Sequence, residues 1–211
     1  MATYPRRKTV IAGVDEAGRG PLAGPVVAAA VILPLRCRIL GLRDSKQTTL
    51  HQRKELYRAI QAQAISIGVG IIDVAPIDAI NIHRATLLAM YRAVMQLTQK
   101  PTSILVDGLY PIPSLSMEQF PIPKGDETVP AISAASIIAK VTRDRMMIEY
   151  DKFYPEYGFG VHKGYGTPEH FKAIQVYGPS PIHRRSFSPL KGAHELCNPT
   201  EKTKVALFTS L

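Results

Sequence analysis

Two aspartates occupy the same local setting, Gly13-Val14-Asp15-Glu16 and Leu105-Val106-Asp107-Gly108, each directly after a short apolar run. Ligand sites in α/β sheets lie beyond strand ends, and neighbouring strands would bring these carboxylates together. Like charges held that close repel, which raises a pKa or demands a counter-cation. Asp15, Glu16 and Asp107 therefore form a candidate site for Mg²⁺ or Mn²⁺, hard ions that take oxygen ligands. Pro123-Lys124-Gly125-Asp126-Glu127 offers another exposed carboxylate just before a helix, and Asp144 is a further acid to weigh. Taken singly, a turn or cap role accounts for each of these residues. The metal reading gains when Asp15, Glu16 and Asp107 are set beside the glycine loop that follows the first pair.

That loop, Gly18-Arg19-Gly20, suits close contact with a ligand backbone, because glycines expose N–H groups and admit near approach, while Arg19 adds a charge. No Gly-Lys-Ser/Thr follows it and it does not open a helix, so it is neither a Walker loop nor a dinucleotide fingerprint. A plain hairpin turn is the alternative. Asp44-Ser45-Lys46 pairs a helix-cap hydroxyl with an ammonium, a combination that holds phosphate as well as capping a helix. His162-Lys163-Gly164-Tyr165-Gly166-Thr167 sets an aromatic between glycines beside basic groups, suited to stacking on a sugar or base or to packing as a surface loop. Pro181-Ile182-His183-Arg184-Arg185-Ser186-Phe187 is a second basic loop with the same two readings. The six histidines form no His-x-x-x-His or His-Cys grouping, and no Gly-x-Ser-x-Gly elbow occurs, which leaves zinc and serine hydrolases unsupported.

The elements that must position these groups alternate in type. Thr9 to Val14 and Val26 to Leu33 read as strands, Thr49 to Ala62 as a helix capped by Ser45 or Thr48, and Ile65 to Ile72 as a third strand. One long helix is predicted from Pro76 to Leu97, with Ile80, Leu87, Leu88, Tyr91 and Met95 as its apolar stripe. Ser103 to Val106 is a short buried strand, and Pro111 to Pro123, with its prolines, is loop and edge strand. Pro130 opens a helix of small residues to about Asp151, Pro168 to Val176 forms another, and Gly178 to Pro189 is loop. This order predicts an α/β layer architecture with a mixed sheet.

The chain carries 26 Lys+Arg against 17 Asp+Glu, a formal +9, which favours a polyanionic partner because basic surface displaces counterions from phosphates. A merely basic, soluble protein fits that balance equally. Cys37 and Cys197 are too few for a disulfide framework, so a reducing cytoplasm is expected. The N-terminus lacks signal-peptide form and no membrane-spanning apolar stretch is present, so no membrane association is expected.

In this order the blocks resemble bacterial ribonuclease HII, of the type 2 ribonuclease H family. They run Val14 to Val26, Asp44-Ser45-Lys46, Val106-Asp107-Gly108, Lys124-Gly125-Asp126, Ala134 to Asp144, His162 to Tyr165 and Pro181 to Arg184. The resemblance implies a ribonuclease H-like fold, a mixed central sheet flanked by helices with a small helical C-terminal region. It implies that Asp15, Glu16, Asp107 and Asp126 hold two Mg²⁺ or Mn²⁺ ions, with Asp144 the alternative to Asp126. It likewise implies that Gly18, Arg19 and Gly20 contact the ribonucleotide with its 2′-hydroxyl, and that Tyr165 stacks at the RNA–DNA junction. Ser45, Lys46, Ser136, Lys140 and Arg184 become substrate contacts, the last four on phosphates. The implied activity cuts the RNA strand of RNA/DNA hybrids and nicks 5′ of ribonucleotides embedded in duplex DNA, leaving 3′-hydroxyl and 5′-phosphate ends. The catalytic domain is expected over 1–190, with 191–211 a loosely packed tail and the chain a monomer. Ala206-Leu207-Phe208 faintly resembles a sliding-clamp peptide without its glutamine, and docking on its own domain is the favoured reading. A DNA nuclease of the same superfamily and a non-catalytic nucleic-acid-binding module are the rivals.

Overall fold

The computed structural model describes residues 10–37, 39–42 and 49–191. Five strands form one sheet in the order β3-β2-β1-β4-β5: β1 Ile11–Ala17, β2 Val26–Ile32, β3 Ser66–Ile72, β4 Ser103–Asp107 and β5 Glu118–Ile122. β1, β2 and β3 pair antiparallel, while β4 joins β1 and β5 joins β4 in parallel. The mixed sheet is therefore as expected, and the Pro121-bearing β5 takes an edge, where a missing N–H is tolerated.

Strand periodicity divides the core into two layers. Ala12 and Val14 of β1, Ala28 and Ala30 of β2, and Ile104 and Val106 of β4 pack on one face against α3 (Ile82–Met95). Val27, Ala29 and Val31 face the other way, onto α1 (Leu50–Gln63) and α5 (Pro130–Phe153), which contributes Ala134, Ala135, Ile137 and Ile138. The approach of α5 to β1 is very close: a Cβ on Gly13 would lie 2.2 Å from the Ala131 carbonyl carbon. Small residues at that crossing let the α5 backbone reach the strand that carries Asp15.

Three expectations are revised. The predicted helix from Pro76 to Leu97 is two, α2 (Val74–Ile80) and α3, because Asn81 takes φ 68° and its side chain caps α3 by accepting the Arg84 N–H. The cap of α1 is Thr49, in a capping box with Gln52, one step beyond the expected Thr48. Asp126 is not an exposed residue before a helix; it lies inside the short α4 (Gly125–Thr128) and is buried. A 3₁₀ turn (Pro155–Tyr157), α6 (Phe159–His162) and α7 (Pro168–Tyr177) complete the described chain. No helix among the described residues is long and apolar enough to cross a membrane.

Candidate active site

Asp15 lies within β1, where it pairs with Ala29, so the first strand runs on past the expected end at Val14. Backbone pairing with β2 holds the acid, which local hydropathy alone would place in a loop. The parallel β1/β4 register matches Val14 with Val106, which makes Asp15 and Asp107 the next residues on adjacent strands. Side chains alternate along a strand, so both aspartates point to the α5 side, and Glu16 points to the α3 side. Glu16 and Asp107, with Arg19, His83 and Thr86, line a shallow cavity at the strand ends.

The electrostatics of the acids follow from this placement. Burial first, then the charges of Glu16 and Asp107, push the Asp15 carboxyl well above the usual carboxylate range. The Ser136 side chain and the Glu16 N–H, 2.7 Å from Oδ1, pull it partly back. Burial also raises Glu16, offset by Arg19, whose Nη1 donates to Oε1 at 3.3 Å. Asp107 Oδ1 accepts the Gly125 N–H at 2.7 Å and the Asp126 N–H at 3.4 Å, which ties α4 to the end of β4. The Asp126 carbonyl in turn accepts the Ser133 hydroxyl of α5. All four expected acids thus lie at the same end of the sheet. Among the described residues, no three such side chains converge closely enough to enclose an ion. Their chemistry nonetheless fits a hard divalent cation, because the donors are all oxygen and the Asp15 and Glu16 carboxyls are held beside like charge that raises their pKa, a cost that a cation would relieve.

Asp144 has different surroundings: its Oδ1 accepts from Lys140 Nζ at 2.7 Å, one turn away on α5. Ser136 reaches Asp15 rather than standing free for a phosphate. Lys140 is part-exposed and lies 5.9 Å from the centre of the Tyr165 ring. Tyr165 is 45% exposed, and its ring edge is 3.8 Å from where a Cβ on Gly20 would sit. The stacking candidate and the glycine loop therefore share one surface. Ser45 and Lys46 lie outside the described residues.

Arg184 departs from its expectation. It is 0% exposed, and its guanidinium donates to the carbonyls of Gly18, Arg19, Pro21, Gly24 and Pro25 at 2.6 to 3.2 Å. A side chain committed to five carbonyls has no donor to offer a phosphate. Arg143, which sequence reading passed over, does the same from α5, binding Pro25 O, Ala23 O and Lys163 O at 2.9 to 3.0 Å. Its signal was present in the spacing of Ala139, Arg143, Met147 and Tyr150, a buried stripe at helical period. Gly18, at φ 96°, lies directly on this arginine: a Cβ there would meet Arg143 Nε at 2.1 Å. Burial lowers Arg143 to about 10 and, with the charge of Arg143 added, Arg184 to about 9, so both remain cations at neutral pH. Two buried guanidiniums thus turn the loop carbonyls inward.

Backbone bonds join this loop to the other two motifs. Leu22 N–H donates to Gly164 O, Gly24 N–H to Ile182 O and Arg184 N–H to Leu22 O, each at 2.8 Å. Segments some 140 residues apart in sequence are thereby fastened around one glycine loop.

The chain is similar to known proteins over most of its length. The family profile of Ribonuclease HII matches residues 12–189. A Ribonuclease HII of Geobacter sulfurreducens is 58% identical over 177 residues, covering 84% of this chain and 81% of that protein. One from Coxiella burnetii is 55% identical over 182 residues, covering 86% and 90%. The crystal structure of ribonuclease H2 from Pyrococcus horikoshii superposes with a TM-score of 0.75 at 30% identity, covering 86% of this chain and 95% of that one. The RNase HII of Archaeoglobus fulgidus, solved in complex with PCNA, gives 0.71 at 26% identity, covering 83% and 93%. A profile match across most of the chain, laid over a mixed sheet whose end gathers four acids beside a glycine loop, makes this protein a member of the ribonuclease HII family, a nuclease of ribonuclease H type.

Proposed function

We propose that the chain hydrolyses the RNA strand of RNA/DNA hybrids and nicks 5′ of ribonucleotides embedded in duplex DNA, leaving 3′-hydroxyl and 5′-phosphate ends. The observation that carries this reading is the parallel pairing of β1 with β4, which makes Asp15 and Asp107 neighbours, in a chain of this family. Asp15, Glu16, Asp107 and Asp126 are the residues that would hold two Mn²⁺ or Mg²⁺ ions. When bound, such ions supply an activated water and neutralise charge on the attacked phosphate. Asp126 is preferred to Asp144 as the fourth acid, because its backbone N–H is bonded to Asp107 whereas Asp144 is paired with Lys140.

The chain's own residues do the positioning. Gly18 and Gly20 with Arg19 take the ribonucleotide, whose 2′-hydroxyl is the local mark that distinguishes RNA from DNA. The Gly18 and Arg19 carbonyls are held inward by Arg184, and those of Ala23 and Pro25 by Arg143, which favours N–H groups on the substrate side. Tyr165 stacks at the junction, Lys140 contacts a phosphate, and Ser45 and Lys46 contact the duplex. Ser136 steadies Asp15. The formal +9 suits a duplex partner. We take residues 1–190 as one catalytic domain with 191–211 as a tail, acting as a cytoplasmic monomer. A sliding-clamp contact rests on the PCNA complex of the Archaeoglobus relative, and Ala206-Leu207-Phe208 lies outside the described residues.

The test is a chelator-controlled nicking assay on three duplexes: one ribonucleotide in DNA, all-RNA/DNA, and all-DNA. Cutting of the first two with Mn²⁺ or Mg²⁺ is expected, with Asp107→Asn lowering the rate about 10³-fold or more, the scale of several kcal/mol of lost charge stabilisation. Full activity in excess chelator or in the variant overturns the reading, and equal cutting of all-DNA favours a DNA nuclease.

A further inference from the structure

Behind Tyr165 two buried histidines are joined by hydrogen bonds whose direction is fixed by the chemistry at the ends. The Ser180 backbone N–H can only donate, so His183 Nδ1, 2.9 Å away, must accept and carries no proton. The proton of the neutral ring is then on His183 Nε2, which donates to His170 Nε2 at 3.0 Å. His170, accepting there, keeps its proton on Nδ1 and donates it to the Tyr165 carbonyl at 2.8 Å. The Ser180 hydroxyl, 2.8 Å from the same Nδ1, is then a second donor there, and the line runs from Ser180 to Tyr165.

The surroundings keep that line neutral and rigid. His170 and His183 are 0% and 1% exposed, and burial lowers them to about 4 and about 3, so neither is charged at neutral pH. His162 stacks on His170 with ring centres 4.3 Å apart. Its Nδ1 accepts the Gly164 N–H and its Nε2 bonds Tyr157 O, which fixes the ring against His170. At the other end His183 bridges to Ala23 and directly precedes Arg184, the residue whose guanidinium grips Gly18 and Arg19. The Tyr165 carbonyl already accepts the Thr167 N–H at 2.9 Å. A second donor there fixes orientation where a single bond would leave a pivot. Core packing alone needs no polar ring at either position.

We propose that His183 and His170 are positioning residues for substrate recognition: their one-directional hydrogen-bond line locks the Tyr165 backbone to the element that holds Gly18-Arg19-Gly20. The stacking ring and the glycine loop are thereby presented to the ribonucleotide junction at one fixed spacing. The inference rests on Tyr165 being the stacking residue, and the test separates the two.

Steady-state kinetics on a duplex with one ribonucleotide are compared for wild type, Tyr165→Ala, His170→Phe, His170→Asn and the double variant Tyr165→Ala/His170→Phe. Tyr165→Ala is expected to lower kcat/KM about tenfold or more, the scale of one lost base stack. His170→Phe, which keeps ring volume but removes both bonds, should lower it about 3- to 10-fold, mainly through KM. His170→Asn, whose amide can donate to the Tyr165 carbonyl, should return to within about twofold of wild type, and the double variant should be no worse than Tyr165→Ala. If Tyr165→Ala is without effect, the stacking reading fails. If Tyr165→Ala is impaired while folded His170→Phe is not, or if the two losses add in full, the histidine line is overturned. Should His170→Phe fail to fold, imidazole ¹⁵N NMR of the wild-type enzyme at neutral pH decides. Neutral rings with protons on His170 Nδ1 and His183 Nε2 are expected, and an imidazolium or the opposite tautomer on either ring overturns the proposal.

Discussion

At the end of β1, beside β4, the buried Asp15 and the half-buried Glu16 are acids with raised pKa values and like charge beside them. Under the glycine loop that follows these acids, Arg143 and Arg184 are buried bases whose guanidiniums are ringed by carbonyl oxygens. Both regions take charge out of water, but only one satisfies it internally. The arginines are answered by neutral dipoles of the loop they hold, so they serve the loop's shape. The acids are answered in part, by a few N–H groups, a side-chain hydroxyl and Arg19, and the remainder of their charge calls for a ligand from outside. Buried charge that the fold satisfies is architectural here, and buried charge that it leaves over marks the chemistry.

The sharpest way to break this contrast is at Arg184. Arg184→Lys keeps the charge but cannot reach five carbonyls, leaving buried acceptors unpaired at about 1–3 kcal/mol each. A loss of about 3 kcal/mol is expected, or roughly 10 °C in Tm for a chain of this size, with discrimination between ribonucleotide-bearing and all-DNA duplex reduced. Thermal melts and paired nicking assays check both. An unchanged Tm would return Arg184 to the substrate surface.

The next largest effect is expected on acidification. His170 and His183 have folded pKa values of about 4 and about 3, below the ordinary 6.5, so the unfolded chain binds their protons first. Their contribution is complete above pH 6.5 and is lost as pH falls toward 4 and 3, with a slope of up to about 1.4 kcal/mol per pH unit for each group. Asp15 and Glu16, being raised, act in the opposite sense and gain stability as they protonate. Denaturant midpoints between pH 7 and pH 4.5 should therefore fall more steeply in wild type than in the double variant His170→Asn/His183→Gln. Equal slopes would mean that the rings are not held neutral.

Asp15→Asn probes the acidic side with a smaller change. It removes a buried charge that repels Glu16 and Asp107 while keeping an acceptor for the Glu16 N–H. In chelator the variant should melt higher than wild type by about 3–6 °C, from about 1–2 kcal/mol of relieved repulsion. Added Mn²⁺ should then raise the wild-type Tm and leave the variant nearly unmoved, since a ligand stabilises only the state that binds it. A lower Tm in chelator would show that Asp15 is a structural acid.

What could be read in advance follows the range of the interactions. The strands, most helices and the acids after Val14 and Val106 are local signals, carried by hydropathy period and turn residues. The break at Asn81 was hidden because the apolar stripe of α2 runs on into α3, and only the left-handed backbone interrupts it. Arg184 stood in a basic loop that looks like a phosphate contact, and its burial depends on Gly18 to Pro25, over 150 residues earlier. The histidine line was illegible for the same reason: His170 and His183 show no motif spacing, and they meet only because α7 packs against the loop that returns to Ala23. Asp126 was legible as an acid near a helix, but its burial comes from contact with Asp107 and α5.

The finest test falls on Lys140, which lies between the two regions and is locked by neither. Its Nζ pairs with Asp144 at 2.7 Å, an i,i+4 pair with the lysine side chain 32% exposed, and it stands 5.9 Å from the Tyr165 ring. A helix pair of this kind is worth only about 0.3–0.5 kcal/mol, so Lys140→Ala should shift Tm by little more than 1 °C. If the ammonium also meets a phosphate, the variant loses one counterion-release contact, and the slope of log(kcat/KM) against log[salt] should fall in magnitude by about 1. The loss should be uniform across duplex sequences, because a phosphate contact reads no base. An unchanged salt slope with the same small Tm shift would confine Lys140 to pairing with Asp144. Phosphate contact would then have to come from other cations, and among the described residues the exposed positive charge beside the acids would be Arg19, 3.3 Å from Glu16.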